Sequence, residues 1–210
     1  MKESGGYWWP DYDQSFHLFN PKEAARDIPF FLRMVEGRNM VIQAGGAMGL
    51  YPLMLADHFQ RVVTFEPDPE NWDCLRANLK ARDGLKRINA WHAALGATPG
   101  ECVMDRPNPL NCGANRTVQG EGDIPVLTID GMRWTGKIDA IWLDVEGSEL
   151  AALKGAEQTI REHSPVIVTE ELGNGERYGV GPTDIEDWLA TLGYEREAGV
   201  GNDRYYRRKM

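Results

Sequence analysis

The chain has 210 residues, 42% of them hydrophobic, and a formal net charge of -9. That length buries a full core and fits one compact domain, while the acidity argues against a protein that grips a polyanion, so nucleic acid is disfavoured as a partner. No apolar run approaches a bilayer span, the amino terminus lacks a secretion-type apolar core, and the odd set Cys74, Cys102 and Cys112 suits reduced packing thiols; a cytoplasmic protein off the membrane is the expectation.

Residues 1–20 include Tyr7-Trp-Trp-Pro-Asp-Tyr-Asp13, show no sustained period and read as an irregular arm or lid ahead of a single domain, 21–210. Pro21 opens a helix with Ile28, Phe31, Leu32 and Val35 on one face, stopped by Gly37. Asn39–Gln43 is a short apolar strand that runs into glycines and then a helix with Pro52 in its first turn. A second strand, Arg61–Phe65, ends on Glu66, and 71–81 has helical spacing through Trp72, Leu75 and Leu79. A weaker strand covers 88–93, and 97–123 reads as loop with short strands. The near-continuous apolar run Ile138–Asp144 predicts a central strand, turning acidic at Asp144 and Glu146. A helix over 148–162, a strand over 165–170, a helix opened by a Thr183-x-x-Glu186 capping box holding Trp188, and a hairpin around Gly199–Asp203 complete the order. This alternation predicts an α/β, doubly wound, mostly parallel sheet with an antiparallel terminal hairpin.

Ligands of open α/β sheets bind beyond the carboxyl ends of the strands. Gln43, Glu66, His92, Asp144 and Glu170 all stand at such ends. Gly45, Gly46 and Gly49 let backbone approach a ligand at a helix start, and Glu66, about twenty residues on, stands where a ribose diol would be bound. The run lacks the G-x-G-x-x-G spacing of a dinucleotide site and the lysine of a P-loop. A ligand with a ribose and no phosphate, such as S-adenosylmethionine, fits better.

Val41-Ile-Gln-Ala-Gly-Gly-Ala-Met-Gly49, Phe65-Glu-Pro-Asp-Pro-Glu-Asn71, Leu75-x-x-Asn78, Ala93-Ala-Leu-Gly96, Leu143-Asp-Val-Glu-Gly-Ser-Glu-Leu150 and Leu153-Lys-Gly-Ala156 follow in order. Over roughly 39–172 the chain resembles the FkbM family of S-adenosylmethionine-dependent methyltransferases, and Trp9-Pro-x-x-Asp13 with Asn111-Cys-Gly113 resembles a phage and bacterial subset of it. The resemblance implies a Rossmann-like class I methyltransferase fold with a seven-stranded sheet. It also implies that Gly45, Gly46 and Gly49 line the methionine portion of the cofactor, Glu66 binds the ribose, residues near Ala94 flank adenine and Asp144 faces the methyl. The family usually carries an acid at Gln43, an Asn at Ala47 and a Lys at Trp142; Gln43 keeps hydrogen-bonding capacity toward the cofactor amine without a charge.

Transfer to a hydroxyl of a small molecule or sugar needs proton removal, for which Asp144 is the first candidate; capping the next helix is its plainer role. A divalent ion on Asp144, Glu170, Glu171 and Asn174 is the less favoured alternative. Glu146 reads as a stabiliser of the turn, and His92 as structural. Trp8, Trp9, Tyr12 and His17 are lid candidates, and Asn108, Asn111, Asn115 and Arg116 are candidates for reading the acceptor. Trp72 and Trp188 read as core. The competing functions are a cofactor-binding module weakened in catalysis, suggested by Gln43 and Trp142, and an RNA ribose methyltransferase, opposed by the acidity.

Overall fold

In the computed structural model residues 1–15 and 21–209 are described. The chain opens with β1 (Lys2–Ser4) and β2 (Tyr7–Trp9), then α1 (Pro21–Met34), β3 (Met40–Ala44), α2 (Leu50–Ala56), β4 (Arg61–Phe65), α3 (Pro69–Ala81) and β5 (Ile88–Trp91). Four short strands follow: β6 (Ala94–Leu95), β7 (Gly100–Asp105), β8 (Arg116–Gln119) and β9 (Ile124–Leu127). The remainder is β10 (Ala140–Leu143), α4 (Glu149–Lys154), α5 (Glu157–His163), β11 (Val166–Glu170), α6 (Asp184–Thr191), β12 (Tyr194–Val200) and β13 (Asp203–Arg208).

The main sheet has seven strands in the order β12-β13-β11-β10-β3-β4-β5. The five from β11 to β5 are mutually parallel, and β13 and β12 add antiparallel pairs at one edge. Alternate residues of each strand face opposite sides. Val41, Val62, Ala140, Trp142, Val168 and Tyr205 pack with α1, α2 and α3 on one face. Ile42, Val63, Phe65, Ile141, Leu143 and Ile167 pack with α4, α5 and α6 on the other. The chain reverses direction across the sheet between β3 and β10, which is where a crevice forms beyond the strand ends.

Four expectations need correction. The opening arm is not irregular: β1 and β2 form an antiparallel hairpin, with Gly5 and Gly6 at φ 59° and 79° supplying its turn. Residues 94–127 form a second, four-stranded sheet in the order β6-β9-β7-β8, so the short strands expected within a loop over 97–123 are joined into one ordered layer. The helix over 148–162 is two helices, because Gly155 passes so close to Gly96 that a Cβ there would sit 2.0 Å from the Gly96 carbonyl oxygen. The Asp130 carboxylate then takes the amides of Gln158 and Thr159 at 2.9 and 2.8 Å, capping α5 from outside. The capping box before α6 also fails to form: Thr183 makes no side-chain cap, and Asp184 instead accepts from the Gly181 amide at 2.8 Å. Among the described residues no helix is long and apolar enough to cross a membrane.

Candidate active site

The glycine turn after β3 is shaped by three contacts. Gly45 has φ 84°, and a Cβ there would lie 1.8 Å from the Asp144 carbonyl oxygen, so β3 and β10 can exchange backbone contacts at their ends only if this residue is glycine. The amides of Gly45 and Gly46 donate to the Phe65 carbonyl at 3.1 and 2.9 Å, tying the turn to the end of β4. The Ala47 amide, at φ 43°, donates to Glu66 at 2.6 Å. That left-handed position suits an Asn better than an Ala, which gives a physical sense to the family's preference there.

Gln43 is buried beneath the turn. Its amide nitrogen donates to the Ala44 and Gly45 carbonyls at 3.0 and 2.9 Å, and its oxygen accepts from the Thr64 hydroxyl. Both amide hydrogens are thus spent on the backbone, and the side chain does not line the pocket. Trp142, a further departure, pairs in register with Gln43 and is buried on the same face of the sheet, with its ring 4.8 Å from Phe31 and 5.2 Å from Tyr51.

Beyond the turn is a cavity of about 220 Å³ whose walls include Gly45, Gly46, Glu66, Ala94, Asn111, Arg116, Asp144 and Glu170. It thus brings together most of the residues anticipated from the sequence. Gly49 lies just outside it, at the start of α2 with φ 95°. Glu66 accepts from the Ala47 and Asp68 amides at 2.6 and 2.8 Å, yet burial pushes its carboxyl up to about 8. Beside it Asn71, buried in the first turn of α3, spends its amide on the Cys112 carbonyl at 3.1 Å while its side-chain oxygen has no partner. Asn115 donates to Tyr12 and Asp68 at 2.8 and 3.1 Å, and its oxygen is likewise buried without a partner. Two orphaned acceptors on the wall beside Glu66 are what a hydroxyl- or amine-bearing ligand would satisfy.

At the other end of the cavity Asp144, Glu146 and Glu170 bring carboxylate oxygens within 4.8 Å of one another. Burial and the charge of Asp144 push Glu170 up to about 9, and burial raises Asp144 itself, against the relief of its hydrogen bond to Glu170. Two buried carboxyls this close resist ionising together, so the pair holds a proton more tightly than either acid would in water. Glu146, at φ 56°, accepts from Asn174 at 2.8 Å and is pushed up to about 7, first by burial and then by Asp144. The turn it was expected to stabilise is instead held by Glu149, which accepts from the Val145 and Gly147 amides at 3.1 Å each. Glu171 turns away from the cluster, accepting from Thr169 at 2.9 Å and Tyr206 at 2.6 Å, so Glu146 takes the place given to it among the oxygen donors.

The lid candidates sit elsewhere. Trp9 is buried with Met48, Leu50, Cys74 and Cys112, behind the glycine turn, and the Trp8 backbone pairs with Asn78 at 2.8 and 2.9 Å. Asn78 also donates to the Met48 carbonyl at 2.8 Å, so the arm braces the cavity from outside rather than covering it. Its carboxyl end supports the acceptor loop: buried Asp13 accepts from the Cys112 amide at 2.9 Å, and Asn111 caps the turn at 112–114 through the Gly113 amide at 3.0 Å. His17 lies outside the described residues. His92 is off the cavity wall, bonded to the Pro67 carbonyl at 3.1 Å and stacked on Trp72 with ring centroids 5.3 Å apart.

Residues 50–196, more than half the chain, match the family model for the methyltransferase FkbM domain. The chain belongs to the FkbM methyltransferase family. This FkbM chain is 25% identical over 168 residues to hexuronic acid methyltransferase AglP of Haloferax volcanii, an alignment covering 78% of the chain and 66% of that protein. Its structure matches a methyltransferase FkbM from Methylobacillus flagellatus with TM-score 0.55 and 21% identity, covering 80% of this chain and 43% of that one. A putative methyltransferase of Streptococcus mutans, solved in complex with SAH, matches with TM-score 0.51 and 10% identity over 90% of this chain and 98% of that one. The chain therefore spans just under two thirds of the first relative and less than half of the second, and at these identities the structural matches speak to the fold.

Proposed function

We propose that this chain transfers a methyl group from S-adenosylmethionine to a hydroxyl oxygen of a small molecule or carbohydrate, using a doubly wound class I methyltransferase fold formed by the domain from residue 21 onward, braced by residues 1–15. The observation that carries the reading is the convergence of Gly45, Gly46, Glu66 and Asp144 on one cavity at the carboxyl ends of β3, β4 and β10. The residues fit the cofactor: Glu66 and the unpartnered oxygens of Asn71 and Asn115 offer acceptors to ribose hydroxyls and an adenine amine, with Ala94 on the same wall. S-adenosylmethionine supplies an electrophilic methyl on a sulfonium, and the S–CH₃ electron pair stays with sulfur as the new O–CH₃ bond forms. The name of AglP, a hexuronic acid methyltransferase, supports a carbohydrate acceptor, and the SAH of the Streptococcus mutans structure is the product expected of this cofactor.

Asp144 takes the acceptor's hydroxyl proton. The carboxyls of the Asp144–Glu170 pair are too close to ionise together, and the low-dielectric setting that raises both groups makes the ionised carboxylate a stronger base than one in water. Glu170 keeps that pair oriented and Asn174 holds Glu146 beside it at 2.8 Å. Calorimetry with S-adenosylmethionine and with NAD tests the assignment: heat with the first alone is expected, and heat with NAD alone would overturn it.

A further inference from the structure

A second chamber of about 620 Å³ adjoins the first, and Arg116, Thr117 and Ser148 line both. Its walls come from β6, β8, α4 and the segment around Tyr178, and the Tyr178 hydroxyl donates to the Thr117 carbonyl at 2.7 Å, tying that segment across to β8. The charge of its lining is opposite to that of the molecule. The sequence holds 32 Asp and Glu against 23 Lys and Arg, yet this chamber is lined by Arg116, Lys154 and Arg177 and by no carboxylate. The first chamber has the reverse character, with Glu66, Asp144, Glu146 and Glu170 on its wall.

The three cations differ in how they are held. Arg116 is fixed at the junction by Asp105, 2.5 Å away. Arg177 donates to Asn174 at 2.7 Å, which in turn holds Glu146, so this cation stands beside the acid cluster without an ion pair to it. Lys154 is exposed and has no ion-pair partner among the described residues. Cations without an ion-pair partner in a concave surface attract a small anion, and in an acidic protein that attraction is confined to the place where they gather.

We infer that the second chamber holds the acceptor and selects an anionic sugar, a carbohydrate bearing a carboxylate or phosphate. Its anion meets Lys154 and Arg177, its ring lies over the apolar wall of Leu95, Val126 and Leu150, and a free hydroxyl reaches the junction at Arg116 and Ser148 toward Asp144. This rests on the methyl-transfer reading for the direction of the hydroxyl, while the anion site itself stands on the charge and shape of the chamber.

The test titrates the protein with glucuronate, glucose 6-phosphate and neutral glucose by calorimetry, with and without SAH. At least one anionic sugar is expected to bind tenfold or more tightly than glucose, to weaken as NaCl is raised from about 50 to 500 mM, and to lose tenfold or more in the Lys154→Glu, Arg177→Glu double variant with SAH affinity unchanged. Which of the two anions binds identifies the carboxylate or phosphate source. Glucose binding as well as both anions, no binding by either anion, or unchanged anion affinity in the double variant would overturn the inference. A Lys154→Gln, Arg177→Gln pair reads the same question if charge reversal prevents folding. Failure of SAH to bind refutes the cofactor assignment alone, since the titration without SAH still reads the anion site.

Discussion

Replacing Asp144 with Asn tests the proton-sharing pair directly. With reacting oxygens within 4.8 Å of those of Glu170, a like charge at an effective dielectric of about 20 costs about 3.5 kcal/mol, equivalent to about 2.5 pH units. Burial outweighs Asp144 in pushing Glu170 up to about 9 in the native protein, so the Coulombic figure bounds the change from above, and Glu170 should titrate about 1 to 2 pH units lower in the variant. It stays above an ordinary glutamate because burial, the larger cause, persists. Carbon-13 NMR of the Glu170 carboxyl over pH 4 to 11 reads this. In the same variant turnover on a methyl acceptor should fall roughly 10²- to 10⁴-fold, the range general-base assistance supplies, while cofactor affinity changes less than about threefold. A Glu170 that still titrates near 9 in Asp144→Asn would show that burial alone raises it, and unchanged turnover would remove Asp144 from proton transfer.

Gly45→Ala places a Cβ 1.8 Å from the Asp144 carbonyl at φ 84°, so it should cost about 3 kcal/mol or more in urea unfolding, whereas Gly100→Ala, with open space around its Cβ, should be close to neutral. Glu66→Gln should weaken S-adenosylmethionine about ten- to a hundredfold in calorimetry, because the amide replaces one acceptor oxygen facing the ribose hydroxyls with a donor. Asp130→Ala removes the external cap of α5 and should lower stability by about 1 kcal/mol without altering cofactor affinity. Glu66 at about 8, Glu146 and Glu149 at about 7, Asp203 at about 7 and Glu170 at about 9 all lie above their ordinary values, so the folded protein binds more protons than the unfolded chain. Their contribution is fully present below about pH 4 and is lost as pH rises through 7 to 9, so the Tm of the cofactor-free protein should fall between pH 6 and 9; a Tm that rises over that interval contradicts the reading.

The parallel strands were legible because their signal is local: apolar runs that stop at Gln43, Glu66 and Asp144 mark both a strand and the end of it that carries a ligand. The second sheet was not, since β6 has two residues and β8 four, too short to show alternation amid Gly, Pro and Asn. The arm's hairpin did carry a signal, Gly5-Gly6 between Ser4 and Tyr7, a pair suited to the positive φ of a two-residue turn. The break at Gly155 depends on Gly96 and Asp130, residues remote in sequence, and no periodicity within 148–162 contains it.

For the site, residue type and strand-end position were enough to select Gly45, Glu66 and Asp144, but side-chain direction was not readable. Glu170 and Glu171 are adjacent in sequence, and a strand sends neighbours to opposite faces, so only one reaches Asp144 while the other bonds Tyr206. Gln43 faces the same logic: it precedes the turn, its amide is used up by the carbonyls of Ala44 and Gly45, and the loss of an acid there therefore bears on the rigidity of the turn before it bears on the ligand. Trp142 likewise replaces the family's lysine on the face that packs against Phe31 and Tyr51, one layer behind the cavity wall that Tyr51 lines. The two departures that suggested a weakened enzyme both fall outside the cavity wall, whereas Glu66, Asp144 and Glu170 line it. Ala47, the third departure, does line the cavity, but it holds Glu66 through its backbone amide, so the acids of the lining are kept over a repacked support, and turnover by the native chain with Gln43 in place is the outcome that follows.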